Sequence, residues 1–167
     1  EQWGPMYPER LQKFMEQIHA KYPKIKICGS SGPSADGKDF DYGWEQMRKL
    51  GVDMVDEHYY KSPEWFRSNA SRYDKYDRKG PKVFAGEYAA HAENDPNSWE
   101  AALSEAAFMT GLERNADVVY QATYAPLFAH VEGWQWRPDL IWFDNLSSVR
   151  SANYYVQQLY GENKGTN

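Results

Sequence analysis

Four short apolar segments, about 30 residues apart, constrain the fold of this chain more than any other feature of its sequence. They begin near residues 24, 52, 82 and 117, and segments with helical spacing lie between them. Repeated strand–helix units of this length are typical of parallel α/β folds. The chain has 167 residues, whereas a complete (β/α)8 barrel takes about 250. The period therefore predicts either a small doubly wound sheet or part of a barrel.

Five helices are predicted from apolar residues at helical spacing and from residues that cap helix ends. They run over about residues 7–22, 44–50, from Ser62 towards Gly80, 98–114 and 152–160. Loops are expected over residues 34–43 and 125–138. Since no internal repeat, low-complexity segment or linker interrupts this pattern, we expect a single domain.

The composition excludes several classes of function. The 19 basic and 24 acidic residues give a net charge of −5 with no basic tract, so nucleic acid is not an expected partner. No apolar run approaches the roughly 20 residues that span a bilayer, so we expect a soluble chain. The compartment stays open between cytoplasm, periplasm and secretion, because a leader would lie outside this sequence. A single cysteine, Cys28, excludes an internal disulfide and a multi-cysteine metal site.

Polar residues collect just beyond the predicted strand ends. They are Glu57, His58 and Tyr60 after the second strand, and Glu87, Tyr88 and His91 after the third. Because parallel strands bring their carboxyl ends to one edge, these side chains are expected to lie close together. A carboxylate beside a tyrosine and a histidine can be held ionised, as a nucleophile requires. The chain also has 7 Trp, 13 Tyr and 7 Phe, which suits stacking on sugar rings and equally suits a large aromatic core.

Other interpretations of these residues stay open at this point. The histidines can be structural, and Glu57, His58, Glu87 and His91 offer metal ligands, although their spacing matches no compact metal motif. The Gly29–Gly32 loop suggests a flavodoxin-like phosphate site but lacks the lysine of a phosphate cradle. A second carboxylate, Glu1, precedes the first helix, where a preceding strand would end. Glycoside hydrolysis uses a pair of carboxyl groups, and two carboxylates at one edge of the sheet meet that requirement.

Six motifs that occur in a fixed order indicate a family more specifically than the strand–helix period does. It resembles family 51 glycoside hydrolases, the α-L-arabinofuranosidases, at Glu1–Pro5, Asp56–Phe66, Val83–Tyr88, Tyr124–Phe128, Trp136–Ile141 and Tyr154–Gln158. The resemblance covers nearly the whole chain. It implies that Glu87 is the nucleophile at the end of the seventh barrel strand and that Glu1 is the acid/base. It also implies that Tyr60 hydrogen-bonds the nucleophile and that His58 is the histidine two positions before that tyrosine.

The same resemblance implies a retaining, double-displacement reaction with no metal and no organic cofactor. Such a reaction places the two carboxyl groups about 5–5.5 Å apart. The expected substrates are oligo- or polysaccharides with terminal α-L-arabinofuranosyl residues, such as arabinoxylan and arabinan. Besides Tyr60 and His58, the residues expected to bind substrate are Trp3, Tyr88, His91 and Trp134.

The resemblance further implies that residues 1–167 form one region, the C-terminal half of a (β/α)8 barrel that starts at the end of the fourth strand. The first half of the barrel and a C-terminal β-sandwich would be absent. Such a half-barrel has unpaired sheet edges that a homo-oligomer would cover. The isolated fragment is expected to be inactive or nearly so. The alternative hypothesis is a non-catalytic carbohydrate-binding or structural half-barrel that uses its aromatic residues without turnover.

Overall fold

Four parallel strands form the main sheet of the computed structural model, which describes residues 3–93 and 97–165. These strands are β1 (Cys28–Ser30), β2 (Met54–Lys61), β3 (Lys82–Ala90) and β4 (Val119–Tyr124). They lie side by side in chain order, and each neighbouring pair is parallel. A doubly wound sheet reverses its strand order at a switch point, and this sheet contains no reversal. The predicted parallel α/β fold is confirmed.

Within the described residues, five α-helices accompany the strands. They are α1 (Tyr7–Lys21), α2 (Lys38–Leu50), α3 (Pro63–Ser68), α4 (Trp99–Arg114) and α5 (Ala152–Glu162), with a 3₁₀ turn at Arg72–Lys75. The hydroxyl groups of Ser62, Ser98 and Ser151 cap α3, α4 and α5 by accepting a hydrogen bond from a backbone N–H three residues later. None of the described helices is long and apolar enough to cross a bilayer.

Two predicted helix boundaries were wrong. Helix α2 begins at Lys38 rather than Trp44, because Gly37 adopts a positive φ of 87° that starts the helix inside the expected loop. Helix α3 ends at Ser68 rather than continuing towards Gly80. There the Asn69 side-chain amide donates to the carbonyl of Trp65 at 2.8 Å, a local bond that competes with continuation of the helix.

A second, smaller sheet follows β4. It consists of β5 (Phe128–His130), β6 (Ile141–Phe143) and β7 (Ser148–Arg150), with β5 and β6 parallel and β6 and β7 antiparallel. The prediction of a continuous loop over residues 125–138 was therefore wrong for β5. A strand of three residues shows too little alternation to be recognised, and its partner lies beyond the expected loop.

Alternate residues of the main sheet face opposite sides. Val55, Tyr59 and Val83 are fully buried beneath the helices; Tyr59, for example, packs against Trp65 and Phe108. The other side of β2 presents Asp56, His58 and Tyr60, and we call it the polar face. This separation follows from the two-residue period of a strand.

Helix α4 packs tightly against the segment that follows α3, and Gly111 makes this approach possible. A Cβ atom added at Gly111 would overlap the carbonyl oxygen of Ala70 and lie 2.9 Å from its carbonyl carbon. Both are backbone atoms and cannot rotate away. The side chain of Arg114, one turn later, donates to the same carbonyl oxygen at 2.9 Å.

We expect Gly111→Ala to lower the free energy of unfolding by about 1–3 kcal/mol, as overpacking of a filled site does. The matched control is Gly161→Ala in α5, where an added Cβ has nothing within 4 Å. There alanine should raise the free energy of unfolding by about 0.5 kcal/mol through helix propensity. Urea unfolding of both variants measures the difference, and effects of the same sign would contradict the packing described here.

Candidate functional site

Glu87 reaches the polar face because β3 carries a β-bulge. Glu57 lies opposite Ala85, but His58 lies opposite Glu87, so Gly86 is an extra residue in the strand. One extra residue moves the side chains that follow it to the other face of a sheet. Without it, Glu87 would lie opposite Tyr59 and point towards the helices. The bulge thus brings the carboxylate beside His58.

Two side chains hold the Glu87 carboxylate, and both approach the same oxygen. The Tyr60 hydroxyl donates to Oε2 at 2.8 Å, and Nδ1 of His58 lies 3.4 Å from that oxygen. Burial and then the negative charge of Glu87 raise the pKa of Tyr60, so its hydroxyl remains a donor. The Glu87 side chain is 44% exposed. Both contacts therefore converge on Oε2 of a carboxylate that is partly open to solvent.

His58 is in turn held by Asp56, two residues earlier on β2. Nε2 of His58 lies 2.9 Å from Oδ2 of Asp56, and only 6% of the His58 side chain is exposed. Burial by itself lowers the pKa of His58, but the hydrogen bond to Asp56 and the charges of Asp56 and Glu87 outweigh burial. The net effect is a raised pKa, which favours the protonated form of the ring.

The structure places the other residues predicted to bind substrate in separate regions. The ring of His91 packs against Tyr60 with centroids 5.4 Å apart, and burial lowers its pKa. Trp3 is half exposed and lies beside Gly32, beyond the end of β1. Trp134 lies next to the smaller sheet, edge-on to Trp142 at 6.2 Å. Glu1, the predicted acid/base, lies outside the described residues.

The position of Tyr88 does not agree with the prediction that it contacts substrate. Tyr88 is fully buried on the helix side of β3, and its hydroxyl donates to Oε1 of Gln157 at 2.9 Å. Its ring packs edge-on to Tyr124. Adjacent strand residues face opposite sides, so once the bulge turns Glu87 to the polar face, Tyr88 must face the helices.

Glu57, which sequence analysis placed with the other polar residues at the strand end, is also on the helix side. It is fully buried, and its carboxylate accepts hydrogen bonds from Trp44 at 2.7 Å, from Tyr73 and Tyr76 at 2.9 Å each, and from Tyr59. Nε of Arg72 lies 3.5 Å away. Strict alternation along Asp56–Tyr60 could have revealed this placement. The partners could not be foreseen, because they come from separate segments.

The metal alternative does not fit these positions. Its four proposed ligands were Glu57, His58, Glu87 and His91, and Glu57 lies on the opposite side of the sheet from His58 and Glu87. Within residues 3–93 and 97–165, no group of three or more His, Cys, Asp and Glu side chains is arranged to hold a metal ion.

Replacement of Glu57 should reveal a structural role. We expect Glu57→Gln to lower the free energy of unfolding by about 3–5 kcal/mol, because it leaves the buried Arg72 without its counter-charge. The control is Glu64→Gln. Glu64 is also paired with an arginine, but its side chain is 66% exposed, and such pairs contribute about 0–1 kcal/mol. Chemical denaturation compares the two variants, and equal small losses would show that the Glu57 network is not stabilising.

Comparison with known proteins adds independent information about this site. The family model described as "Alpha-L-arabinofuranosidase C-terminal domain" matches residues 65–167. The family model described as "Alpha-L-arabinofuranosidase 1 domain" matches residues 1–78. The two matches together cover the strands and helices that carry Glu87, Tyr60 and His58.

Individual proteins that resemble this chain are also named α-L-arabinofuranosidases. An extracellular exo-α-L-arabinofuranosidase of Streptomyces chartreusis is 55% identical over 157 residues, 94% of this chain and 18% of that protein. α-L-Arabinofuranosidase 1 of Arabidopsis thaliana is 35% identical over 153 residues, 91% of this chain and 21% of that protein. The arabinose-bound structure of the α-L-arabinofuranosidase MgGH51 has a TM-score of 0.80 at 37% identity, over 95% of this chain and 26% of that one. The chain thus spans about a fifth to a quarter of the length of these relatives.

Proposed function

The chain belongs to glycoside hydrolase family 51, the α-L-arabinofuranosidases, and from this premise we propose that it carries the nucleophile of a retaining arabinofuranosidase. The observation that carries the proposal is the convergence of Tyr60 and His58 on one oxygen of Glu87. A nucleophilic carboxylate must be ionised and oriented, and a neutral hydroxyl donor beside an imidazolium provides both.

The main sheet is proposed to be the C-terminal half of a (β/α)8 barrel, with β1 to β4 as its fifth to eighth strands. Two observations support this. The strands add in chain order without reversal, and the functional side chains lie at the carboxyl ends of β2 and β3, where barrel enzymes build their active sites. The polar face would then line the interior of the barrel.

In the proposed reaction, Glu87 attacks the anomeric carbon of a terminal α-L-arabinofuranosyl residue. Glu1 protonates the glycosidic oxygen as its bond to that carbon breaks, and an arabinosyl–Glu87 ester results. Glu1, now a carboxylate, takes a proton from water, which attacks the anomeric carbon and releases arabinose and the Glu87 carboxylate. Two inversions at one carbon retain its configuration. Tyr60 and His58 hold Oε2 while Oε1 forms the bond.

The proposed substrates are arabinose-bearing oligo- and polysaccharides such as arabinoxylan and arabinan. The names of the relatives and the arabinose bound to MgGH51 support this class of substrate, and the Streptomyces relative supports action outside the cell. We also propose that residues 1–167 alone turn over little or no substrate. The reason is that, without the rest of the barrel, the polar face lacks the sugar contacts which that part supplies.

The proposal predicts a graded loss of activity in the protein that carries the complete barrel. Glu87→Gln should lower kcat by roughly 10⁴-fold or more, as loss of a nucleophile does. Tyr60→Phe should lower kcat/KM about 10- to 100-fold, because it removes one hydrogen bond to a charged group. Tyr155→Phe, at a half-exposed tyrosine of α5, is the control and should leave activity unchanged.

Release of p-nitrophenol from p-nitrophenyl α-L-arabinofuranoside measures these rates. Undiminished turnover by Glu87→Gln would disprove the assigned nucleophile. Tight binding of arabinosides with no turnover and no dependence on Glu87 would favour the non-catalytic carbohydrate-binding alternative.

A further inference from the structure

Asp56 is a partly buried acid of the polar face, with a side chain 22% exposed, and the proposed reaction gives it no role. Its Oδ2 is bonded to Nε2 of His58 at 2.9 Å. Its Oδ1 is buried and has no hydrogen-bond partner among the described residues. An ionised carboxylate that gives up water for a single bond incurs a desolvation cost. If this side chain only filled space, an apolar residue at the same position would make the fold more stable.

The neighbouring strand is shaped around this carboxylate. A Cβ atom added at Gly86 would overlap Oδ1 of Asp56 and lie 3.0 Å from its Cγ and 3.1 Å from Cε1 of Phe84. Gly86 is therefore the residue that lets Asp56 approach β3, and it is also the extra residue of the bulge. The space that Asp56 occupies and the orientation of Glu87 thus depend on the same backbone position.

We propose that Asp56 is a positioning residue that acts through His58: it fixes the imidazole at Nε2 so that Nδ1 faces Oε2 of the nucleophile Glu87. The inference rests on the proposed function, which makes Glu87 the nucleophile, and adds a residue to it. Asp56 itself does not contact Glu87 through a hydrogen bond; the chain of contacts runs from Asp56 through the His58 ring to Glu87.

The charges alternate in sign along the contacts that run from Asp56 through His58 to Glu87. Asp56 stabilises a positive His58, and a positive His58 stabilises the negative Glu87 at a separation of 3.4 Å. That separation is longer than a good hydrogen bond, and contacts of this kind often shorten when substrate binds.

Other titratable groups lie near His58, and their charges bear on the charge of its ring. Tyr60 on β2 and His91 after β3 pack against one another above Glu87, and neither is negatively charged near neutral pH. The titratable groups on the far side of Asp56 are Tyr7 of α1 and Cys28 of β1, and burial raises the pKa of each. These groups stay neutral through the acidic range. Asp56 and Glu87 are therefore the two charges that face His58.

The test uses Asp56→Asn and Asp56→Ala in the protein with the complete barrel. Asparagine keeps the shape and can still bond Nε2, but it removes the charge, whereas alanine removes both. The matched control is Asp53→Asn, just before β2, where Asp53 pairs with Lys26 at 2.7 Å and accepts from the backbone N–H of Ile27 at 2.9 Å. The readouts are kcat and KM, with thermal unfolding measured alongside.

Asp56→Asn is expected to retain most of kcat/KM, because its side-chain oxygen can still accept a hydrogen bond from Nε2 of His58 and hold the ring. Asp56→Ala is expected to lower kcat/KM about 10- to 100-fold through kcat more than KM, since the ring is no longer held. Asp53→Asn should reproduce the wild-type values. Gly86→Ala displaces Oδ1 of Asp56 from the β3 side and should also lower kcat more than it changes KM.

The inference would be overturned by Asp56→Ala and Gly86→Ala values of kcat and KM equal to those of the wild type. It would equally be overturned if Asp56→Asn lost as much activity as Asp56→Ala and both losses followed lost thermal stability, which is the result of a purely structural role. Glu87→Gln is assayed in parallel. If that variant is inactive and Asp56→Ala matches the wild type, only the role of Asp56 fails. If Glu87→Gln is active, the proposed function and this inference both fail.

Discussion

The site depends on one extra residue in β3. The bulge at Gly86 sets His58 opposite Glu87 instead of opposite Gly86, and every polar contact of the candidate nucleophile follows from that shift. A regular strand would put Glu87 among the aromatic side chains beneath the helices and Tyr88 on the polar face. The energetic cost of an unpaired strand residue is small beside the cost of burying an unpaired carboxylate. The bulge also needs glycine, because the Asp56 carboxylate occupies the space of a Cβ.

Strand β2 separates two carboxylate networks that sequence alone places together. On the helix side, Glu57 is surrounded by donors from tryptophan, tyrosine and arginine side chains and has no exposure to solvent. On the polar face, Asp56 and His58 lead to Glu87, which is partly open to solvent. The first arrangement satisfies a buried charge completely, which suits a structural element. The second leaves the Glu87 side chain 44% exposed, which suits a group that reacts.

Much of this was predictable from local signals. The capping serines Ser62 and Ser98 and the 30-residue period identify most elements. The resemblance at Asp56–Phe66 and Val83–Tyr88 pairs Tyr60 with Glu87 from the sequence alone. Three things were not predictable in physical terms. A bulge has no periodic signature, so Tyr88 was assigned to the wrong side. The donors to Glu57 converge only through tertiary packing. The strand β5 is too short to show alternation, and its pairing with Ile141–Phe143 is non-local.

The central claim is that Glu87 forms the covalent bond to the sugar, and trapping that bond tests it most directly. The protein with the complete barrel would be treated with a 2-fluoro arabinofuranosyl donor, whose slow second step lets the ester accumulate. After trypsin digestion, fragmentation of peptide 83–114 locates the added mass. The account predicts one fluoroarabinosyl group on Glu87 and none in Glu87→Gln. An adduct on another residue, or steady hydrolysis with no adduct at Glu87, would contradict it.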